Sequence, residues 1–324
     1  MLDLYGRNID YIRISVTDRC NLHCSYCMPE GAVKWQKEEE QLQPEEIVRL
    51  SKLFSGLGIK KVKLTGGEPL LRKELPFLIR HLKKDCHMEE VTLTTNGIFL
   101  KKQLDGLLQA GIDGVNISLD TLDRELYYKI TGKDALPDVK IAIEEASERK
   151  DLLLKLNCVL INQTEEDLFS IANLAKERKI AVRFIEQMPI GFARGTQTLK
   201  EDTVKQLFEK KYGTLLPVTE KCGNGPAHYF TVKGFAGSIG FISALSHKFC
   251  DTCNRVRLTS DGFLKPCLQY ETGTDLKKLL RLGADDDAIR EEIRKTIKSK
   301  PQCHQFEGGK NENTEHRNMS EIGG

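Results

Sequence analysis

The stretch YIRISVTDRCNLHCSYCMPEG, residues 11–31, joins a short β-strand pattern to a loop that holds three cysteines. The segment YIRISV (11–16) is rich in β-branched residues, which is typical of a strand. Cys20, Cys24 and Cys27 follow it at the spacing C-x3-C-x2-C. Because active sites of parallel α/β folds form at the carboxyl ends of their strands, this order predicts a functional loop directly after the strand.

The alternation of strand and helix continues to about residue 186. The further strand candidates are KKVKLT (60–65), EVTLTT (90–95), GVNISL (114–119), LLLKLNCVL (152–160) and AVRFIE (181–186). Helical patterns lie between them at PEEIVRLSKLFSGLG, LPFLIRHLKK, LKKQLDGLLQAG, DVKIAIEEASERK and EEDLFSIANLAKERK. Six such repeats predict an α/β fold, either an incomplete barrel or an open parallel sheet.

Polar and glycine residues also follow the later strand candidates. These runs are Thr65-Gly66-Gly67-Glu68-Pro69, Thr94-Thr95-Asn96-Gly97, Ser118-Leu119-Asp120 and Glu186-Gln187-Met188-Pro189. Each run alone is typical of an ordinary turn. Since the carboxyl ends of parallel strands meet on one side of a sheet, their combination with the cysteine loop favours a single site.

After about residue 190 the chain becomes glycine-rich and less periodic, which predicts a division into residues 1–190 and 191–324. Short β-like pieces occur at HYFTVKG and GSIGFIS, and helical patterns occur at TDLKKLLRLG and DAIREEIRKTIKSK. The polar stretch HQFEGGKNENTEHRN has little to pack, so we expect it to be mobile or ordered only by contact.

Composition is that of an ordinary soluble protein of 324 residues, with a net charge of +2. No apolar run is long enough to span a membrane, and the first ten residues do not have the pattern of a signal peptide, so we expect a cytoplasmic protein. The balanced charge argues against a broad nucleic-acid surface.

Ten unevenly spaced cysteines indicate metal binding rather than disulfides. The isolated ones, expected to be buried or incidental, are Cys86, Cys158, Cys222 and Cys303.

The first cysteine group supplies three thiolates, one fewer than a closed zinc site or a closed four-iron cluster needs. A catalytic metal site keeps such a position open, although a zinc site completed by a distant residue stays an alternative. Cys250, Cys253 and Cys267 form a second group of three. For that group an iron–sulfur cluster and a Cys3His zinc site that uses His247 are equally open.

Basic residues accompany both cysteine groups. Arg255 and Arg257 flank Val256 directly after Cys253, so in an extended segment both guanidinium groups point the same way, which suits a polyphosphate. Further cations interrupt apolar strand patterns at Arg13, Lys63 and Lys155. A cation inside a barrel is costly unless an anion binds there, so these residues predict an interior basic track.

These motifs resemble a known enzyme family. The cysteine loop, with Tyr26 between its last two cysteines, and Gly66-Gly67-Glu68-Pro69 resemble the radical S-adenosylmethionine (SAM) superfamily. More narrowly, the resemblance is to the GTP 3′,8-cyclases, which catalyse the first step of molybdenum cofactor biosynthesis. The segments that carry it are GRNIDYIRISVTDRCNLHCSYCMPEG, LTGGEPLLR, TTNG, NISLD, RFIEQMPIG, FCDTCNRVRLTSDGFLKPCL and the terminal glycine pair.

The resemblance implies an incomplete parallel (β/α)6 barrel whose open side is closed by a smaller carboxyl-terminal domain. It implies two 4Fe-4S clusters, one on Cys20, Cys24 and Cys27 with SAM, and one on Cys250, Cys253 and Cys267 with the substrate. Residues implied to contact SAM are Tyr26, Gly67, Ser118 and Met188. Residues implied to contact GTP are Arg13, Lys63, Thr94, Lys155, Arg255, Val256 and Arg257. Those implied to act in the reaction are Arg13, Arg255, Arg257, Gly323 and Gly324.

The implied activity is a SAM-dependent radical cyclisation of GTP that needs a reducing electron donor. The implied partner downstream is cyclic pyranopterin monophosphate synthase, and a homodimer is expected. Two alternatives remain at the level of the sequence. One is another radical SAM enzyme with an auxiliary cluster, such as a peptide-modifying enzyme, and the other is a metal-binding regulatory module without catalytic activity.

Overall fold

Strands and helices alternate through the first 186 residues in the computed structural model, which describes residues 1–31, 35–196, 198–219, 223–306 and 314–323. The strands are β1 (Tyr11–Ser15), β2 (Lys61–Thr65), β3 (Glu90–Thr95), β4 (Gly114–Ser118), β5 (Leu153–Leu160) and β6 (Ala181–Glu186). The helices are α1 (Pro44–Gly56), α2 (Leu75–Lys84), α3 (Leu100–Ala110), α4 (Arg124–Thr131), α5 (Leu136–Ser147) and α6 (Glu165–Glu177). All six predicted strands are therefore confirmed, whereas α4 was not predicted.

The remaining elements follow the glycine-rich part of the sequence. They are α7 (Glu201–Tyr212), β7 (Leu216–Pro217), β8 (His228–Thr231), β9 (Ser238–Ile242), β10 (Arg255–Leu258), β11 (Phe263–Lys265), β12 (Thr274–Asp275), α8 (Leu276–Arg281) and α9 (Asp286–Lys298). The β-like pieces and both helical patterns of this region are confirmed, whereas α7, β7 and β11 were not predicted. Thr274 and Asp275, which the first helical pattern included, form β12 instead.

Local sequence signals set several helix ends. The Thr164 hydroxyl accepts a hydrogen bond from Asp167 N at 3.2 Å, and Asp167 Oδ2 accepts one from Thr164 N at 3.1 Å, which together form a capping box at the start of α6. Asp123 caps the unpredicted α4 by accepting from Leu126 N at 2.7 Å. Gly132, with φ of 72°, ends α4 in the left-handed conformation that glycine adopts at low cost.

The strands of the described residues form one twelve-stranded sheet in the order β12-β11-β10-β1-β2-β3-β4-β5-β6-β9-β8-β7. Neighbours from β10 through β9 are parallel, and the outer pairs on both sides are antiparallel. The strands after residue 190 therefore extend the same sheet at both edges instead of building a second one. The described sheet has two free edges, β12 and β7, as an incomplete barrel does. The predicted division of the chain at residue 190 stays a prediction.

The two faces of the sheet differ in chemistry. Ile12 and Ile14 of β1 are fully buried in the apolar core, in which α1, α2 and α3 contribute further side chains. Arg13 lies between these two residues and so points to the opposite face. There the register pairs it with Arg257 of β10 and with Lys63 of β2. Arg257, Arg13 and Lys63 of the predicted basic track thus lie side by side on the inner face of the sheet, whereas Lys155 is on β5.

Across the described ranges, no helix is both long and apolar enough to cross a membrane.

Candidate active site

The loop after β1 is fastened to the loop after β2 by backbone hydrogen bonds. Gly67 N donates to Thr17 O at 2.8 Å, and Glu68 N donates to Arg19 O at 2.7 Å. A β-carbon on Gly66 would lie 2.4 Å from Thr17 O. One on Gly67 would lie 2.3 Å from Arg19 O. Because these neighbours are backbone atoms that cannot turn aside, glycine is required at both positions for the two loops to approach this closely.

Glu68 then connects this loop to the end of β3. Its carboxylate accepts hydrogen bonds from Leu70 N at 3.0 Å, from the Thr95 hydroxyl at 2.6 Å and from Asn96 N at 2.7 Å. Burial raises the pKa of Glu68 to about 7 in spite of these three bonds, which lower it. Asn96 in turn donates to Asn21 Oδ1 in the cysteine loop at 2.8 Å. Glu68 is thus the centre of a network that fixes three loops at one end of the sheet.

The cysteine loop is also held from the side by α4 and by the end of β4. His23 N donates to Thr131 O and Ser25 N donates to Ile130 O, both at 2.9 Å. The Tyr26 hydroxyl donates to Asp120 Oδ2 at 2.7 Å. The hydrogen bond to Asp120 fixes the direction of the Tyr26 side chain, and the backbone bonds attach the loop to α4.

The three thiols of this loop are buried and can serve as ligands of a bound metal group. Burial raises the pKa of Cys20 to about 11 and that of Cys27 to about 12, and it raises the pKa of Cys24 well above its ordinary value. By themselves these side chains are therefore neutral thiols. Metal ligation requires thiolates, and a bound metal group displaces the protons. The first group thus has the donors and the low-dielectric setting that an iron–sulfur cluster needs.

The second cysteine group is held by two buried cations. Lys300 Nζ donates to Arg255 O at 2.9 Å and to Pro266 O at 2.6 Å, so it joins the segments on either side of the group. Arg7 Nη1 donates to Cys250 O at 2.9 Å. Burial raises the pKa of Cys253, but Lys300 and Arg255 outweigh it and lower the pKa to about 7. This thiol therefore ionises more readily than an ordinary cysteine, which favours metal ligation.

The zinc alternative for the second group is not supported. The ring of His247, the proposed fourth zinc ligand, contacts an acidic residue instead. Its Nε2 lies 3.2 Å from Asp202 Oδ1 on an exposed surface. The isolated cysteines Cys86 and Cys158 are buried and Cys303 is exposed, whereas Cys222 lies outside the described residues.

One cavity of about 320 Å³ is lined by both cysteine groups. Its wall contains Cys20, Cys24, Cys27, Cys250, Cys253 and Cys267. It also contains Tyr26, Gly67, Ser118 and Met188, the residues predicted for SAM. Arginines 13, 255 and 257 line it as well. The structure therefore brings together at one cavity the two groups that lie more than 200 residues apart in sequence.

A smaller pocket of about 90 Å³ lies deeper on the inner face of the sheet. Residues that line both the pocket and the cavity include Arg13, Thr94, Asn157 and Arg255, so the two spaces adjoin. The predicted residues Lys63 and Lys155 line the pocket. Burial lowers the pKa of Lys63 well below its ordinary value, and nearby Arg183, Arg13 and Lys155 lower it further. Such crowded buried cations are costly alone and are stabilised by an anion.

Arg183 of β6 belongs to this pocket but was not predicted. Its Nη2 donates to Asn157 Oδ1 at 2.5 Å, and its buried Nε has no hydrogen-bond partner within the described part of the chain. The sequence carried a usable signal, because Arg183 interrupts the apolar strand AVRFIE in the same way that Arg13 interrupts YIRISV.

Val256 differs from its two neighbours. Its side chain is fully buried in the apolar core, on the face opposite Arg255 and Arg257, and it lines neither the cavity nor the pocket. A contact between Val256 and a ligand on the inner face would therefore involve its backbone.

The carboxyl-terminal glycine that the structure describes lies beside β1 and β2. Arg257 Nη1 donates to Gly323 O at 2.7 Å. Gly323 has φ of 74°, and a β-carbon there would lie 3.1 Å from the Cβ of Ser15 and 3.2 Å from Cγ2 of Thr65. Ile322 before it is fully buried. The end of the chain thus packs against β1 and β2. Gly324 lies outside the described residues, as do residues 307–313 of the polar stretch that was expected to be mobile or ordered only by contact.

Comparison with known proteins agrees with this geometry. Residues 14–175 match the Radical SAM superfamily, and residues 180–306 match Molybdenum Cofactor Synthesis C. The chain is 41% identical over the full length of both proteins to GTP 3′,8-cyclase of Clostridium perfringens (strain 13 / Type A). It is 42% identical, again over the full length of both, to GTP 3′,8-cyclase of Thermodesulfovibrio yellowstonii. The chain belongs to the GTP 3′,8-cyclase family. Each of its two matched segments contains one cysteine group.

Solved structures support the fold. SuiB of Streptococcus suis bound to S-adenosylmethionine has a TM-score of 0.64 at 16% identity, over 89% of this chain and 68% of that one. At this identity the likeness concerns the fold alone. Together with the match of residues 14–175 to the Radical SAM superfamily, it confirms the partial barrel. Membership of the GTP 3′,8-cyclase family confirms the resemblance read from the sequence, and the superfamily implies SAM and a 4Fe-4S cluster. The full-length relatives do not favour the peptide-modifying and regulatory alternatives.

Proposed function

We propose that this protein is a lyase that cyclises GTP to (8S)-3′,8-cyclo-7,8-dihydroguanosine 5′-triphosphate with SAM. The observation that carries the proposal is the single cavity lined by both cysteine groups and continued by a basic pocket. Full-length identity of about 40% to curated GTP 3′,8-cyclases supports the same substrate.

In this proposal each cysteine group holds one 4Fe-4S cluster. Cys20, Cys24 and Cys27 hold the cluster that binds SAM, and Cys250, Cys253 and Cys267 hold the cluster that faces GTP. Bound together, the first cluster and SAM supply one-electron chemistry that removes hydrogen from an unreactive carbon. The buried Glu68 network supports this arrangement, because it fixes the loops around the first group before any ligand binds.

The basic pocket takes the triphosphate. Lys63, Lys155 and Arg183 line it, and each can form charge-assisted hydrogen bonds to phosphate oxygens. Arg255 lies at the junction of pocket and cavity, so it orients the nucleotide with its base toward the second cysteine group. Arg13 lies at the same junction, and Thr94 contacts the nucleotide there.

Apolar side chains exclude water from the reacting part of the cavity. The wall includes Val159, Ile185, Ile190, Ile242 and Phe249. Exclusion of water and exact placement of the substrate both matter, since a reactive carbon that is misplaced by about an ångström attacks the wrong partner or is quenched.

The product passes to a cyclic pyranopterin monophosphate synthase, a reducing electron donor supplies the electron, and the enzyme acts in the cytoplasm as a homodimer. Residues 1–190 form the SAM-binding unit, and residues 191–324 form the unit that carries the second cysteine group.

The deciding experiment is an anaerobic incubation of the iron-loaded protein with GTP, SAM and a strong reductant. We expect equal amounts of 5′-deoxyadenosine and a cyclised GTP product, detected by chromatography and mass spectrometry. A fully iron-loaded protein that cleaves SAM without consuming GTP would contradict the proposed substrate.

Replacement of either inner arginine should weaken GTP binding. We expect Arg255→Ala and Arg257→Ala each to raise the dissociation constant for GTP about 10- to 100-fold, because a charge-assisted hydrogen bond contributes about 1.5–3 kcal/mol. Equilibrium dialysis with labelled GTP measures the effect, and iron content should equal that of the wild type. Arg294→Ala on the exposed face of α9 is the matched control. Unchanged GTP affinity in both inner variants would make the site assignment wrong.

A further inference from the structure

The segment 314–323, here called the carboxyl-terminal segment, runs from the second cysteine group to the first. It begins at an antiparallel bridge between Thr314 and Tyr270, close after Cys267. Further along, the Ser320 backbone N–H forms a hydrogen bond to Cys27. Met319 and Ser320 line the cavity, and Gly323 reaches Arg257. The segment therefore crosses the cavity and contacts both sides of it.

A buried ion pair anchors the start of the segment. The side chains of Glu315 and Lys265 are 1% and 0% exposed, and Lys265 Nζ contacts Glu315 Oε2. The second carboxylate oxygen, Oε1, accepts from Arg317 N at 2.9 Å. The backbone of Glu315 is also bonded, because its N donates to Gln269 O at 2.6 Å and its O accepts from Arg194. Every polar atom of Glu315 is thus engaged.

Other charged contacts of the segment are weaker anchors. His316 Nε2 lies 3.8 Å from Glu271 on an exposed surface, and Arg317 Nη1 lies 3.6 Å from Asp261 with both groups partly exposed. Exposed pairs contribute little to stability. Removal of one partner from a buried pair is strongly unfavourable, because it leaves an unpaired buried charge. Among the charged contacts of the segment, the Glu315–Lys265 pair is therefore the one whose loss should weaken its attachment most.

The anchor lies on the loop that carries Cys267. Lys265 precedes that cysteine by two residues, and its Nζ also donates to Tyr270 O on the other side of it. The ammonium group thus closes the loop 265–270 and binds the carboxyl-terminal segment at the same time. A displacement of this loop would move the anchor, and with it Gly323.

We propose that Glu315 is the positioning residue that holds the carboxyl-terminal segment across the cavity, through its buried pairing with Lys265. Docking of Gly323 beside Arg257 is thereby coupled to the loop that carries Cys267. The consequence for turnover rests on the proposed function, whereas the docking itself does not.

The test measures docking directly in the full-length, iron-loaded protein. In Glu315→Gln we expect amide hydrogen exchange of residues 316–323 to accelerate at least about tenfold, because the local opening equilibrium shifts. Tryptic cleavage after Arg317 should accelerate to a similar extent. Iron content should equal that of the wild type. The matched control is Glu291→Gln, which removes the same charge from an exposed pair on α9 and should leave exchange and cleavage unchanged.

A double variant separates the ion pair from a general loss of packing. Lys265→Met alone should raise exchange as Glu315→Gln does. Lys265→Met combined with Glu315→Leu should raise exchange by clearly less than the product of the effects of Lys265→Met and Glu315→Leu alone, because both changes act on one ion pair. Wild-type exchange in Glu315→Gln, or fully independent effects in the double variant, would overturn the proposal.

The effect on chemistry is a separate readout. In Glu315→Gln we expect 5′-deoxyadenosine to form at a near wild-type rate, while cyclised product per 5′-deoxyadenosine falls at least about fivefold, because positioning controls the fate of the reactive carbon. Faster amide hydrogen exchange of residues 316–323 with an unchanged yield of cyclised product would overturn the link between docking and turnover. If the wild type itself gives no cyclised GTP, the proposed function fails and the exchange results still decide the role of Glu315.

Discussion

Gly67→Ala is expected to abolish measurable SAM binding and to lower the free energy of unfolding by about 2 kcal/mol or more, as overpacking against rigid atoms does. A β-carbon at this position would lie 2.3 Å from Arg19 O and 2.6 Å from Asp18 O. The neighbours are backbone atoms of the cysteine loop, so relief requires the loop to move. That movement would also break the 2.8 Å hydrogen bond from Gly67 N to Thr17 O.

Two measurements check this prediction. Denaturant unfolding of the metal-free protein gives the change in stability, and equilibrium dialysis with labelled SAM after iron reconstitution gives the change in affinity. The matched control is Gly106→Ala in α3, where a β-carbon has no neighbour within 4 Å. That control should stabilise the protein by up to about 1 kcal/mol, because alanine is the better helix former. Wild-type SAM affinity in Gly67→Ala would contradict the account of the loop.

Local patterns were sufficient to predict the strands that position the first cysteine group, but not α4, which holds the cysteine loop from the side. Alternating apolar residues located β1 to β6, and turn residues marked their carboxyl ends, because strand periodicity and turn chemistry depend on a few neighbouring residues. Arg13, Lys63 and Lys155 were recognised by the same logic, since a charge inside an apolar strand has to face something polar.

Long-range pairing was not predictable in this way. β10 lies beside β1, and Asn254 Nδ2 donates to Asp10 Oδ1 at 2.7 Å across 244 residues of chain. The alternation of residues from Arg255 to Leu258 does not specify β1 as the partner strand. A period of two residues determines which side chains share a face of the sheet, but it does not determine which strand lies beside them. The supports of the second cysteine group were missed for the same reason. Arg7 and Lys300 are ordinary basic residues in sequence, and their roles come from the carbonyl groups that the fold brings to them.

Replacement of either complete cysteine group by serine should remove about half of the bound iron. If each group holds one four-iron cluster, the wild type binds about eight irons per chain and each triple variant binds about four. Without Cys20, Cys24 and Cys27 we expect no 5′-deoxyadenosine, because SAM has no open iron to bind. Without the second group we expect 5′-deoxyadenosine to form while cyclised GTP is lost, since the first group lies on separate loops fixed by Glu68.

Iron and acid-labile sulfide analysis after anaerobic reconstitution measures the first effect, and chromatography of the reaction products measures the second. Cys303→Ser is the matched control, because Cys303 is exposed and stands outside both groups. It should keep the full iron content. A wild type that binds only about four irons, all of them lost with the first group, would contradict the second cluster. The Arg7 and Lys300 contacts would then have to be explained as supports of an ordinary loop, although they converge on the backbone around three thiols that line the same cavity as the first group.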